Sequence, residues 1–386
     1  MAVPGINISC SAEAGVRPDI RIARPVHASK VLHGQTPDQV LESIQRLYRV
    51  CGIAQTALAM NVLETARGGS IDHDEAVVHG VLVRFEMARE QLWRMLFDWA
   101  RLCGVAAARD AIRFMQNLVP EATICAYSES PFITRSPPRI KRAEIENLLR
   151  RLDRVLEMHI FGATPEFFLS LSGVAALERF AEQRRGIVPS MLLLLARRGW
   201  QSSAATNGSF LPSLPADALD GRLMNGVADR FVERPDWLGS ACETSPFERQ
   251  RNSELVWAVI SAYGHGLYAR VVAAARELAE TSTVIRECLD GGVVDGLSCE
   301  AMGDGKAIAH IEAARGRLVH RVEIDDADRV TDYRTVAPTE WNFHPHGVVA
   351  DGLMNAAEEG YDGFEQRANL LVTLLDPCVG YSLEVQ

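Results

Sequence analysis

Apolar residues recur at helical spacing through the first two thirds of this chain, and strand-like stretches gather only near its end. That division constrains the fold most, because each amphipathic helix must bury its apolar stripe against a neighbour. Thr36-Pro37-Asp38-Gln39 supplies a cap and a proline at the first helical position, and Val40, Ile44, Leu47 and Tyr48 follow mostly along one face. Over 72–103, Val77, Val81, Phe85, Met87, Leu92, Leu96 and Trp99 predict a long amphipathic helix. Mixed apolar and charged positions predict further helices over 141–158, 165–185 and 254–278. Ser, Asn, Gly and Pro recur over 202–249 with weak periodicity, which predicts a surface excursion and not a domain boundary. Short strands are expected over 306–312, 317–324 and 329–333, then a loop over 338–345 and a last helix over 364–375. The expected class is mainly α with a small antiparallel β region, in a single domain over 1–386.

Composition narrows the functional classes. With 386 residues and 47% hydrophobic content, the chain can bury a large core. Its 40 basic and 50 acidic residues give a net charge of −10, without the clustered basic face that nucleic acid requires. The longest apolar runs, 191–196 and 255–260, fall short of the roughly 18 residues that span a bilayer, so no membrane span is expected. The N-terminal residues lack the basic flank and apolar run of a secretory signal. Eight cysteines, at 10, 51, 103, 125, 242, 288, 299 and 378, form neither a disulfide framework nor a C-x-x-C pair. A cytoplasmic location with free thiols is the expectation.

Two cysteines stand out by context. One lies in Arg49-Val50-Cys51-Gly52-Ile53-Ala54, the other in Asp376-Pro377-Cys378-Val379-Gly380-Tyr381. Taken singly, each is either a small buried packing residue or a ligand. Taken together, they resemble the two cysteine motifs of nickel–iron ([NiFe]) hydrogenase large subunits, R-x-C-G-x-C-x-x-x-H and D-P-C-x-x-C-x-x-H. Three further segments are similar to that family in the same order. They are Leu32-His33-Gly34-Gln35-Thr36-Pro37, Glu312-Ala313-Ala314-Arg315-Gly316-Arg317-Leu318-Val319-His320, and Ala337-Pro338-Thr339-Glu340-Trp341-Asn342.

The resemblance implies a large-subunit-like fold in which the chain ends converge and bring Cys51 and Cys378 together. In that family four thiolates hold one nickel and one iron. Here Ala54 and Tyr381 stand in the places of the second cysteines, and Leu58 and Glu384 in those of the histidines. Two thiolates lack the sulfur donors for a dinuclear centre, so neither a stable nickel–iron site nor hydrogen turnover is expected. Gln386 follows soon after Cys378, so no tail for a maturation protease is expected. This pattern looks like the hydrogenase expression and formation proteins of the HupK/HoxV type. It implies a scaffold on which an Fe(CN)2(CO) fragment is assembled or parked, with Cys51 and Cys378 as metal ligands. Arg315 would then donate to cyanide nitrogens; the alternative is a solvent-exposed turn arginine. Implied partners are other maturation proteins and the hydrogenase large subunit. The competing readings are a divergent large subunit with an altered metal site, and a metal-free subunit of the quinone-reductase type.

The remaining candidates are weaker. His310 and His320 read as strand residues facing solvent, although His320 also sits in the family pattern. His344 and His346, flanking Pro345, read as an incidental pair. Cys103, before Gly104, reads as packing at a helix end. Gly291-Gly292 and Gly296 read as a turn, with no Gly-Lys-Ser/Thr ending to make a phosphate loop. Glu13 is the candidate for an N-terminal glutamate of the family.

Overall fold

The computed structural model describes residues 5–23, 28–127, 137–224, 226–291 and 296–385. Two strands, β1 (Gly5–Cys10) and β2 (Asp19–Ala23), precede α1 (Pro37–Leu47), α2 (Gly52–Ala66) and α3 (His73–Trp93). Further helices lead to β3 (Ser298–Ala301), β4 (Lys306–Ala313), β5 (Gly316–Ile324) and β6 (Val330–Val336). Helices Pro338–Asn342, Val348–Glu358 and Phe364–Leu375 follow, then β7 (Tyr381–Val385).

Local chemistry sets the helix boundaries. At α1, the Thr36 hydroxyl accepts the Gln39 N–H while the Gln39 side chain accepts the Thr36 N–H, so two orphan donors are satisfied together. Asp72 caps α3, which continues through a π-helical turn at Arg94–Trp99 and a final turn at Ala100–Leu102. Gly104, at φ 66°, ends this path where the sequence predicts it to end. Two predicted helices are broken instead. The stretch 165–185 divides into Pro165–Leu169 and Val174–Gln183 at Gly173, which has φ 73°. The stretch 254–278 becomes Glu254–Tyr263 and Leu267–Leu289, because Gly266 passes so close to residue 201 that a Cβ would meet the Gln201 carbonyl oxygen at 2.8 Å. Helices Arg109–Ala126 and Ile187–Arg198 lie outside the predicted set; the first runs through Pro120, a residue that argues against a helix in sequence, and the second is too uniformly apolar to show a period.

β3, β4, β5 and β6 form an antiparallel sheet in that order, one strand more than expected. Alternation along it feeds two cores. Ala307, Ala309, Ile311, Leu318 and Val322 pack with α2, whereas Ile308, Val319 and Val336 pack with Trp341, Leu211, Leu214 and Phe231. The stretch 202–249, expected on the surface, therefore contributes part of a core and carries three short helices, Ala216–Leu223, Ala228–Glu233 and Pro246–Gln250. The predicted loop over 338–345 opens with the helix Pro338–Asn342, begun by the Glu340 carboxylate accepting the Ala337 N–H at 3.3 Å.

A second sheet has the order β2-β1-β7, with β1 antiparallel to β2 and parallel to β7. Ile6 donates to the Gly380 carbonyl at 2.9 Å, so the N-terminal strand is fastened directly after Cys378. Ile6, Ile8 and Ile20 anchor this sheet in the main helical core. Among the described residues, no helix is long and apolar enough to cross a membrane.

Candidate functional site

Cys51 opens α2 in the left-handed region, at φ 55°. A non-glycine residue held there stores about 1–3 kcal/mol of strain, which the surroundings must outweigh. They do so through Glu86 of α3, whose buried carboxylate accepts the N–H groups of Ile53 at 2.9 Å and Ala54 at 3.0 Å. Burial raises the Glu86 pKa against those two donors. The second motif has the same backbone feature: Asp376, at φ 48°, turns the chain out of helix Phe364–Leu375 into Pro377 and Cys378. The Cys378 N–H donates to the Thr339 hydroxyl at 3.3 Å.

The two turns bring the thiols into contact. The nearby Cys378 thiol and burial together push the Cys51 thiol well above its usual range, against the pull of Arg315. Neither cysteine is in a disulfide; Cys51 is 3% exposed, and Cys378 is only partly covered.

Arg315 joins the motifs from the turn between β4 and β5. Its guanidinium donates to Cys51 Sγ at 3.5 Å and to Glu90 Oε2 at 3.0 Å, and its Nε lies 3.1 Å from Asp376 Oδ2. At 5% exposure this is no solvent-facing turn arginine. Burial works against its charge, but Asp376, the two cysteines and Glu90 outweigh that and hold it protonated well above the ordinary arginine range. Burial likewise opposes ionisation of Glu90, and Arg315 and Arg89 overcome it, so the Glu90 pKa is lowered. Arg94 pairs with Asp376 and, at 2.8 Å, with Asp98.

The other matching segments hold this turn in place. Gly316 has φ 132°, and a Cβ there would lie 2.4 Å from the Thr244 carbonyl oxygen, so only glycine fits. Asn342 accepts the Thr244 N–H at 2.9 Å and donates to the Thr244 carbonyl at 2.8 Å. The Arg317 N–H donates to the Thr244 hydroxyl at 2.9 Å. Arg249 donates to the Ala314 carbonyl at 3.4 Å while paired with Glu277 at 2.5 Å and Glu312 at 3.1 Å. An open cleft of about 630 Å³ reaches Cys378, walled by Arg89, Glu90, Trp93, Arg94, Arg315 and Tyr381.

The replaced positions offer no sulfur or imidazole. Ala54 and Leu58 are fully buried in α2. Tyr381 begins β7 with its hydroxyl 3.4 Å from that of Thr373, and Glu384 is exposed on the same strand. His320, expected at the solvent, is fully buried; its Nε2 lies 2.7 Å from Gln55 Oε1 and its Nδ1 2.9 Å from the Tyr333 hydroxyl. Burial lowers its pKa to about 3. His310 is partly buried on β4, and burial lowers its pKa as well. The His346 N–H donates to His344 Nδ1 at 3.0 Å, so that pair is tied locally. Cys103 packs on the main core, and burial pushes its thiol up to about 12. Glu13 is exposed between β1 and β2. Gly291 has φ 85° just beyond helix Leu267–Leu289, while Gly292 lies outside the described residues. Among the described residues, no group of three or more His, Cys, Asp or Glu side chains is placed to hold a metal.

Sequence reasoning missed Glu86, Glu90 and Arg94. They recur every four residues and form one row on α3 and its π-helical extension. That spacing was the available signal, but a charged row on a helix ordinarily reads as a solvated face.

No family model matches the chain. It is similar to the hydrogenase expression/formation protein HoxV of Cupriavidus necator, at 27% identity, covering 96% of this chain and 93% of that protein. It is also similar to HupK of Bradyrhizobium diazoefficiens, at 28% identity, covering 92% of this chain and 89% of that protein. Among solved structures, the Ni-Fe-Se hydrogenase of D. vulgaris Hildenborough shares the fold with a TM-score of 0.63 at 13% identity, over 96% of this chain and 95% of that one. An NAD+-reducing nickel–iron hydrogenase does so with a TM-score of 0.59 at 16% identity, over 95% and 93%.

Proposed function

We propose, from the premise that this chain is a homologue of the HupK/HoxV hydrogenase expression/formation proteins with the fold of the hydrogenase large subunit, that it serves in hydrogenase maturation as a non-catalytic scaffold. Its cargo is a single iron fragment that brings its own diatomic ligands, Fe(CN)2(CO), gripped by Cys51 and Cys378. The observation that carries this reading is the contact of those two thiols beside the Arg315 guanidinium, next to an open cleft. Two sulfur donors suit a metal whose other positions are already filled; they leave a bare ion under-coordinated. Loading displaces the thiol protons, so uptake is favoured as pH rises. Arg315 offers the cyanide nitrogens a planar set of donors fixed by Glu90 and Asp376. Ala54 and Tyr381 in place of sulfur ligands support a site for transfer and not for hydrogen oxidation. Its partners are the other maturation proteins and the hydrogenase large subunit, in the cytoplasm.

Infrared spectroscopy tests this. Protein purified anaerobically from cells expressing the maturation genes should show cyanide and carbonyl stretching bands that vanish in the Cys51→Ala, Cys378→Ala double variant. Bands that persist in the double variant would sink the two-thiol reading. Stoichiometric nickel with hydrogen-dependent dye reduction would favour a divergent large subunit instead.

A further inference from the structure

We propose that Cys51 and Cys378 also form a redox couple that closes to a disulfide by exchange with a low-molecular-weight disulfide, entering at Cys378. Cys51 Sγ lies 3.5 Å from the Arg315 guanidinium, and Cys378 lines the cleft that Arg315 walls, so the two thiols share one site. Their unequal exposure sets the order of events. Cys378 lines the open cleft, whereas Cys51 lies behind it at 3% exposure. Only Cys378 can meet a disulfide from solvent; only Cys51 is placed to resolve the product. Arg315, whose guanidinium donates to Cys51 Sγ at 3.5 Å, holds that sulfur in place for the second step.

In the first step Cys378 attacks one sulfur of the small disulfide. A bond forms to Cys378, the small S–S bond breaks, and the departing thiolate takes the Cys378 proton. In the second, Cys51 attacks the Cys378 sulfur and expels the remaining small thiolate, which takes the Cys51 proton. The protein dithiol is oxidised by two electrons, and the small disulfide is reduced to two thiols. Disulfides in reducing compartments are typically transient and sensing, which is the character expected here. Because cargo and disulfide both need the same two sulfurs, oxidation and loading exclude each other. That exclusion rests on the function proposed above, but the disulfide itself does not.

Oxidised glutathione is the probe, applied to the full chain freed of reductant and followed by intact mass and peptide mapping. Wild type should lose two hydrogen atoms and yield a peptide pair linked through Cys51 and Cys378. Cys51→Ser should instead accumulate glutathione on Cys378, and Cys378→Ser should leave Cys51 unmodified, with thermal melts matching wild type to show that each variant folds. Glutathione that stays on wild-type Cys378 while Cys51 remains free would overturn the inference, as would reaction at Cys103 with both residues untouched. The infrared bands provide an independent arm. A disulfide in a protein that never shows the bands sustains this inference and removes the cargo reading, whereas bands without a disulfide do the reverse.

Discussion

His320 sits neutral between Gln55 and Tyr333 with no exposure, and burial lowers its pKa from 6.5 to about 3. The folded value lies below the unfolded one, so unfolding takes up a proton in the window between them. The stability tied to this group is fully present above 6.5 and is lost as pH falls toward 3. At pH 5 the loss from this one group is about 2 kcal/mol. His79, lowered to about 4 by burial, acts in the same sense. Unfolding free energies from urea titrations should therefore fall between pH 7 and pH 5 for wild type, and fall less, by about 2 kcal/mol, for His320→Gln. Equal slopes in the two proteins would show that His320 does not titrate on unfolding. At this scale the sequence was legible where a motif spelled the residue out, as for Cys51, Cys378 and Arg315. It was opaque for Glu86 and Glu90, whose roles depend on what α3 packs against, and for His320, whose strand is covered on both faces.

The turn that carries Arg315 depends on the short helix Pro338–Asn342 lying across the sheet from it in sequence but beside it in space. Asn342 satisfies both backbone groups of fully buried Thr244, which in turn lies against Gly316. Asn342→Ala leaves a buried donor and a buried acceptor without partners, at about 1–3 kcal/mol each. Asn342→Asp keeps the acceptor but sets a buried carboxylate oxygen against the Thr244 carbonyl, so its denaturation midpoint should fall at or below that of Asn342→Ala. The reverse order would show that the amide clamp is not what stabilises this turn. Strands β4, β5 and β6 were readable from alternation and from the glycine and aspartate turns between them. The core beneath the 202–249 stretch was not, because Leu211, Leu214, Leu219 and Phe231 are separated by Ser, Pro and Gly and show no period.

Over the whole molecule, the convergence of the chain ends is built by β1 and β7, which are short, parallel and far apart in sequence. Nothing local marks such a pairing, and β7 has residues of intermediate and full exposure in alternation, so it lacks a strong apolar signature. Removing 381–386 should release β1 on one side, and amide exchange at Ile6 and Ile8 should quicken while β4 and β5 keep their protection. Loss of protection throughout would mean that β7 stabilises the entire fold and is no local latch. The fold class itself was legible, because helical period and the late strands both survive in the structure.

The most direct measurement is X-ray absorption at the iron edge of the loaded protein, which counts the sulfur atoms bound to the metal. Two sulfur neighbours per iron in wild type, falling to one in Cys51→Ala and one in Cys378→Ala, is the outcome that follows from the joined thiols. An iron with no sulfur shell, or one whose sulfur count is unchanged in both variants, would contradict it.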